Sequence, residues 1–298
     1  MSLRFSIACF VLLAIIGSLG LVPLANAQTA ATCTFSMFSP PAGFTNGDFF
    51  ADGINHYNTI VGVAFTAGKG SSAKGFMRFS GGGMNLFAFP NAFVTELNRR
   101  NANGASVGQY YKSGATGFPG SGSHGLMSTS TATATLDYPG ASSTVLNGIN
   151  KSNVIVGSAL NPSTGGTFGF KHANGTFTKI TFPDAVQTTT TAINDNEVIV
   201  GGYQLDSFEN PWSGYVLTNG TFKSLKFIPA DINNSGVMVS GNKIFFTTGT
   251  VKTVTVPSSN QTHVNGINDL GTVTGSAHFG GTPGSWKGFI ATTDFKSV

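Results

Sequence analysis

Charge is the scarcest property of this sequence of 298 residues: 9% are Asp, Glu, Lys or Arg, against about 25% in ordinary globular proteins. The 16 basic and 12 acidic residues leave a net charge of +4, spread thinly. Nucleic-acid binders cluster Lys and Arg to neutralise phosphates, and the densest groupings here are Arg99-Arg100 and Lys69 with Lys74 and Arg78. No nucleic-acid partner is expected. Cysteine is almost missing too, with only Cys9 and Cys33. Helical periodicity is absent beyond the first 20 or so residues, which excludes a helical or α/β architecture.

The one long apolar run, Ile7 to Gly20, follows Arg4 and precedes Ala25-Asn26-Ala27. A positive residue, a short apolar stretch and a small-x-small site spell a cleavable secretory signal peptide over residues 1–27. The run is shorter than the roughly 20 residues a membrane span needs, so no transmembrane segment is expected after cleavage. Cys9 stands at the start of the run, whereas a lipid-modified cysteine should end it. Cleavage leaves Cys33 alone, so an internal disulfide is excluded although an exported protein could form one. The mature domain, 28–298, is expected to be extracellular or at the cell surface, held together by packing and hydrogen bonds.

What is plentiful is Gly (40), Phe (26), and a repeat. Ile54-Asn55 precedes Ile60-Val61-Gly62, and the same pattern recurs at Ile149-Asn150, Ile193-Asn194 and Ile267-Asn268, with eroded copies at Arg100-Asn101 and Ile232-Asn233. From Asn55 through Asn101, Asn150, Asn194 and Asn233 to Asn268 the intervals are 46, 49, 44, 39 and 35 residues. Periods near 40 mark propeller blades and other arrays. Each copy divides into four short β-type runs, best seen in Thr188–Asn194, Val198–Tyr203, Ser213–Thr218 and Thr221–Phe227. The first pair is joined by the Asn turn. Asn174-Gly175 and Asn219-Gly220 join the last pair as hairpins. A recurrent Pro-x-Ala, at Pro90, Pro139 and Pro183, ends the fourth run, because proline has no N–H for a ladder. The sixth copy lacks a fourth run, while Thr34–Phe38 is a fourth run without a copy of its own. The expectation is an all-β, six-bladed β-propeller of four-stranded repeats, its ring closed by the N-terminal strand; an open β-solenoid is the alternative.

The Gly-Ile-Asn-x-x-x-x-Ile-Val-Gly turns at Gly53–Gly62 and Gly148–Gly157, followed by Gly75-Phe76, Gly169-Phe170 and Gly288-Phe289, resemble the extracellular His-Ala-Phe (HAF) repeat family across the mature chain. No position here reads His-Ala-Phe. The resemblance implies an extracellular repeat protein and carries no catalytic residues.

Chemistry is sparse. His56, His124, His172, His263 and His278 share no metal-ligand spacing, and no nucleophile elbow or phosphate loop is present; no metal or cofactor is expected. Six acids, Asp52 among them, sit beside repeat turns, which explains them as turn formers. Asp48, Glu96, Asp137, Asp206, Glu209 and Asp294 remain. The connections between second and third runs vary most, and three are long and aromatic: Gln109–His124 with Tyr110, Tyr111 and Phe118; Gln204–Trp212 with Phe208 and Trp212; His278–Trp286 with Phe279 and Trp286. Such insertions project from one face of a repeat array, and rings beside polar groups suit sugars. The leading expectation is a non-catalytic module that binds a glycan or an extracellular protein through these loops. A secreted propeller glycosidase or lyase, using a carboxylate pair assembled from separate blades, and a structural envelope or matrix protein are the alternatives.

Overall fold

A computed structural model describes residues 5–8, 32–45, 47–67, 72–112, 122–206, 211–280 and 285–292. The described residues are all β, and they include no helix long and apolar enough to cross a membrane. In chain order the strands are β1 (Phe5–Ala8) and β2 (Thr32–Phe38); β3 (Phe49–Ile54), β4 (Ile60–Phe65), β5 (Ala73–Arg78) and β6 (Met84–Phe87); β7 (Val94–Arg100), β8 (Ser106–Tyr111), β9 (His124–Ser128) and β10 (Thr133–Thr135). They continue with β11 (Ser143–Ile149), β12 (Ile155–Leu160), β13 (Thr167–Ala173) and β14 (Thr176–Ile180); β15 (Gln187–Ile193), β16 (Ile199–Gln204), β17 (Ser213–Thr218) and β18 (Thr221–Leu225). The last are β19 (Asp231–Ile232), β20 (Met238–Ser240), β21 (Lys243–Phe245) and β22 (Val251–Thr253), then β23 (Gln261–Ile267), β24 (Val273–His278) and β25 (Trp286–Thr292). Within each set successive strands pair antiparallel, giving a propeller-like arrangement of sheets.

The number of separate sheets differs from the expected six. Hydrogen bonding divides the strands into five: three of four strands, one of five and one of eight. The eight-stranded sheet joins the β3–β6 and β7–β10 sets through one parallel pair, Ala73 with Val94. The five-stranded sheet runs β1-β2-β25-β24-β23, so a strand from the start of the chain completes the sheet built at its end, Thr34 lying opposite Thr292. β1 falls inside the segment expected to be cleaved, most of which lies outside the described residues.

Local chemistry explains the repetition. Asn174-Gly175 and Asn219-Gly220 take positive φ at both positions, the two-residue turn whose twist matches the strands it joins. The crossing between sets is a tight turn: Ala92 N–H donates to the Phe89 carbonyl, Ala141 to Tyr138 and Ala185 to Phe182. Pro presets the second position of that turn, and Asn91, Gly140 and Asp184 take positive φ at the third, as a type II turn requires. The repeat glycine lies inside the second strand. Gly62 and Gly157 stand opposite Phe76 and Phe170, and a Cβ on either would meet a backbone oxygen at 2.0 and 2.2 Å. The ring covers the bare backbone, and both aromatics are fully buried, each contributing about 1.5–3 kcal/mol.

Candidate functional site

Six buried asparagines stand at the inner ends of the first strands, and each does two jobs. The Asn55 side-chain oxygen accepts the N–H groups of Tyr57 and Thr59 at 3.0 and 2.9 Å, which fixes the turn. Its amide donates to the Asn101 carbonyl at 3.2 Å. Asn101 donates to Asn150, Asn150 to Asn194, Asn194 to Asn233, Asn233 to Asn268, and Asn268 back to Asn55. The repeat motif thus ties neighbouring copies into a closed circuit around a central axis, a role beyond the turn capping read from the sequence.

One step further along the axis, five of the six inner strands carry a β-bulge, displacing Asp52, Asn98, Asn147, Thr191 and Asn265 from the ladder. Bulges re-aim a side chain, and here they turn it to the axis, three residues before each ring asparagine. Asn98 donates to the Leu146 carbonyl, Asn147 to Thr190, Thr191 to Pro229 and Asn265 to Ala51, at 2.6–3.0 Å. Asp52 breaks the series, with a carboxyl in place of the amide or hydroxyl of those copies.

Between these tiers sits Arg99. Its guanidinium donates to the carbonyls of Asp52 (2.5 Å), Asn98 (2.7 Å), Ala230 (2.6 Å) and Asn265 (3.0 Å), joining four copies. Its Nε lies 3.4 Å from Asp231, which also accepts the N–H groups of Ile232 and Ile267. At the equivalent position, two before the ring asparagine, four other copies have glycine or alanine, and the fifth copy has Asp231 itself. The sequence reading weighed Arg99 only as half of a weak basic pair.

Beyond Arg99 the channel widens into a cavity of about 590 Å³ lined by Asp52, Glu96, Asn98, Gln109, Asn147, Gln187, Thr189, Thr190, Thr191, Trp212 and Asn265, among others. Glu96 and Gln109 are 6% and 5% exposed, and the Gln109 amide donates to Glu96 Oε2 at 2.7 Å. Glu96 Oε1 and Gln109 Oε1 are buried with no hydrogen-bond partner. Burial, reinforced by the charge of Glu96 and opposed by Arg99, pushes the Asp52 carboxyl up to about 8. Its surface is only half-buried, because part of it faces the cavity. Burial also raises Glu96, against the Gln109 bond. The cavity therefore holds two carboxyls that burial raises, with the charge of Glu96 raising Asp52 further. This overturns the reading of Asp52 as a turn former.

The residues expected in projecting loops divide. Trp212 is 37% exposed and lines the cavity. Tyr110 is instead buried in β8, stacked on Phe89 at 3.7 Å and bonded through its hydroxyl to Thr135 at 2.8 Å. Tyr111 packs against the buried cluster of Val63, Ala73 and Val94, and burial with the charge of Glu96 raises its phenol. Phe279 packs against the core of the last sheets with Lys287 over its ring. Trp286 sits among Phe50, His263 and His278, centroids 5.0–5.5 Å away. Phe118 and Phe208 lie outside the described residues. Among the described residues no group of three or more His, Cys, Asp or Glu could hold a metal ion.

The fold defines the chain as an all-β repeat protein of propeller-like arrangement. It is similar to a protein of unknown function from Dyadobacter fermentans, 10% identical, with TM-score 0.51, over 87% of this chain and 98% of that one. More distant are a protein named as a gluconolactonase (12% identity, TM-score 0.48, 85% and 93% covered) and a variant of AofleA from Arthrobotrys oligospora (9%, 0.47, 90% and 95%). These are likenesses of fold. No family model matches the chain, and no curated protein matches its sequence.

Proposed function

We propose that the chain is an exported six-bladed β-propeller that binds a glycan, without turnover, in its central cavity. The blades are β3–β6, β7–β10, β11–β14, β15–β18, β19–β22, and β23–β25 completed by β2. The bond from Asn268 back to Asn55 supports a closed ring over a solenoid, as does the reach of Arg99 to the fifth and sixth copies. Export rests on the signal pattern and the HAF resemblance.

One observation carries the binding reading: the cavity combines a ring of amide and hydroxyl groups with a half-exposed indole. Sugar C–H faces stack on such rings while hydroxyls bond to the amides, and about 590 Å³ falls within the range of small-ligand sites. Glycan-array binding by the purified protein that disappears in Trp212→Ala is the expected result; binding that survives the change removes the site. A second reading is favoured by Asp52 and Glu96, whose coupled carboxyls offer an acid and a base to a glycosidic bond. Turnover of nitrophenyl glycosides, lost in both Asp52→Asn and Glu96→Gln, would replace the binding reading with that one.

A further inference from the structure

Glu96 Oε1 and Gln109 Oε1 are buried acceptors left without donors, on two side chains whose residues line the cavity. The orientation of the Gln109 amide is set by the bond its nitrogen gives to Glu96 Oε2, so its oxygen must be the free atom. Leaving such atoms unpaired is costly, and native proteins rarely do so without a reason. Whatever completes them must donate. Charge narrows the choice. Arg99 is answered by Asp231, and no ion pair among the described residues involves Asp52 or Glu96. An ammonium brings three donors and one positive charge in a small volume, and its bond to a carboxylate is among the stronger hydrogen bonds. The space is far larger than an ammonium alone needs, and the remaining wall is amide, hydroxyl, the Trp212 indole and the aliphatic groups of Val145, Ala159 and Leu160.

We propose that this part of the cavity is an ammonium subsite, in which Glu96, Gln109 and Asp52 hold the protonated primary amine of an amino sugar. The proposal rests on the glycan reading and narrows it to sugars with a free amine. Binding of the cation stabilises the ionised forms of Asp52 and Glu96, so uptake of the amine releases protons near neutral pH; Arg99, Asp231 and the Tyr111 phenol are the other titratable groups around them.

Calorimetric titration of the purified protein with glucosamine trimer, its N-acetylated counterpart and cellotriose tests it. The free amine should bind about ten-fold or more tighter than either neutral sugar, the scale of one charged hydrogen bond, and Glu96→Gln should erase that preference. Asp52→Asn is a second variant with little risk to folding, since asparagine stands at this bulge in three other copies; it should weaken amine binding by more than it weakens binding of the neutral sugars, narrowing the preference for the amine. Equal affinity for all three sugars, or a preference that survives both variants, overturns the subsite and leaves the glycan reading standing. No binding of any sugar by folded protein overturns both.

Discussion

The two ends of the central channel are built on the same six inner strands and yet are chemically opposite. At the turn end each copy repeats one residue, asparagine, and every ring asparagine donates its amide to the next copy. At the cavity end the equivalent positions diverge: Asp52, Asn98, Asn147, Thr191, Ala230 and Asn265 stand three residues before the ring asparagines, and Glu96 stands where other copies have Phe50, Val145, Thr189, Ile228 and His263. Repetition produces closure. Departure from it produces a cavity, coupled carboxyls and acceptors without donors.

The comparison breaks most completely at Arg99, which separates the two ends. Arg99→Ala should cost about 3–5 kcal/mol, because it leaves Asp231 buried without its countercharge; urea unfolding measures it, and a loss below about 1 kcal/mol would mean that the guanidinium is no structural hub. Next in size is Asn150→Ala, which removes two turn bonds and the link to Asn194, at about 2–3 kcal/mol. Asn147→Ala at the cavity end, with a bond to Thr190 and a longer one to Ser158, should cost about 1 kcal/mol, and the ratio of the two sharpens the contrast.

A pH-dependent effect belongs to Asp52. Its folded pKa of about 8 lies above the ordinary 3.8, so its contribution is fully present below about pH 4 and is lost as pH rises towards 8. Asp52→Asn should flatten that slope in melting temperature against pH, and an unchanged slope would show that the carboxyl is not held protonated. The smallest change in stability is expected at Trp212→Ala, within about 1 kcal/mol, although it should abolish glycan binding.

Much of the fold was legible because its signals are local. The Asn turn, the Asn-Gly hairpin and the Pro-x-Ala crossing each fix backbone geometry within four residues, and their order implies the meander. The fusion of two sets through Ala73 and Val94 was not legible, since it depends on a parallel contact that no turn encodes. The site was harder to see. Asp52 is disguised by its place beside a turn, and Glu96 by distance from any motif. Tyr110 shows the opposite failure, an aromatic next to a long connection that packs inward on Phe89. Aligning the copies on their ring asparagines would have exposed both acids as exceptions at axis-facing positions, three and five residues earlier. Arg99 stands out in the same alignment, where neighbouring copies have glycine.

The circuit of asparagine bonds has no first member. Every link runs in the same sense, from a side chain to the backbone of the following copy, and the stretches near Thr34 and Thr292 already lie opposite one another in one sheet. Joining those stretches by a short linker and opening the chain in the Asn219-Gly220 hairpin instead would leave all six links in place. A circularly permuted protein of this kind should fold to the same ring, because the order in which copies are synthesised is not what holds them around the axis.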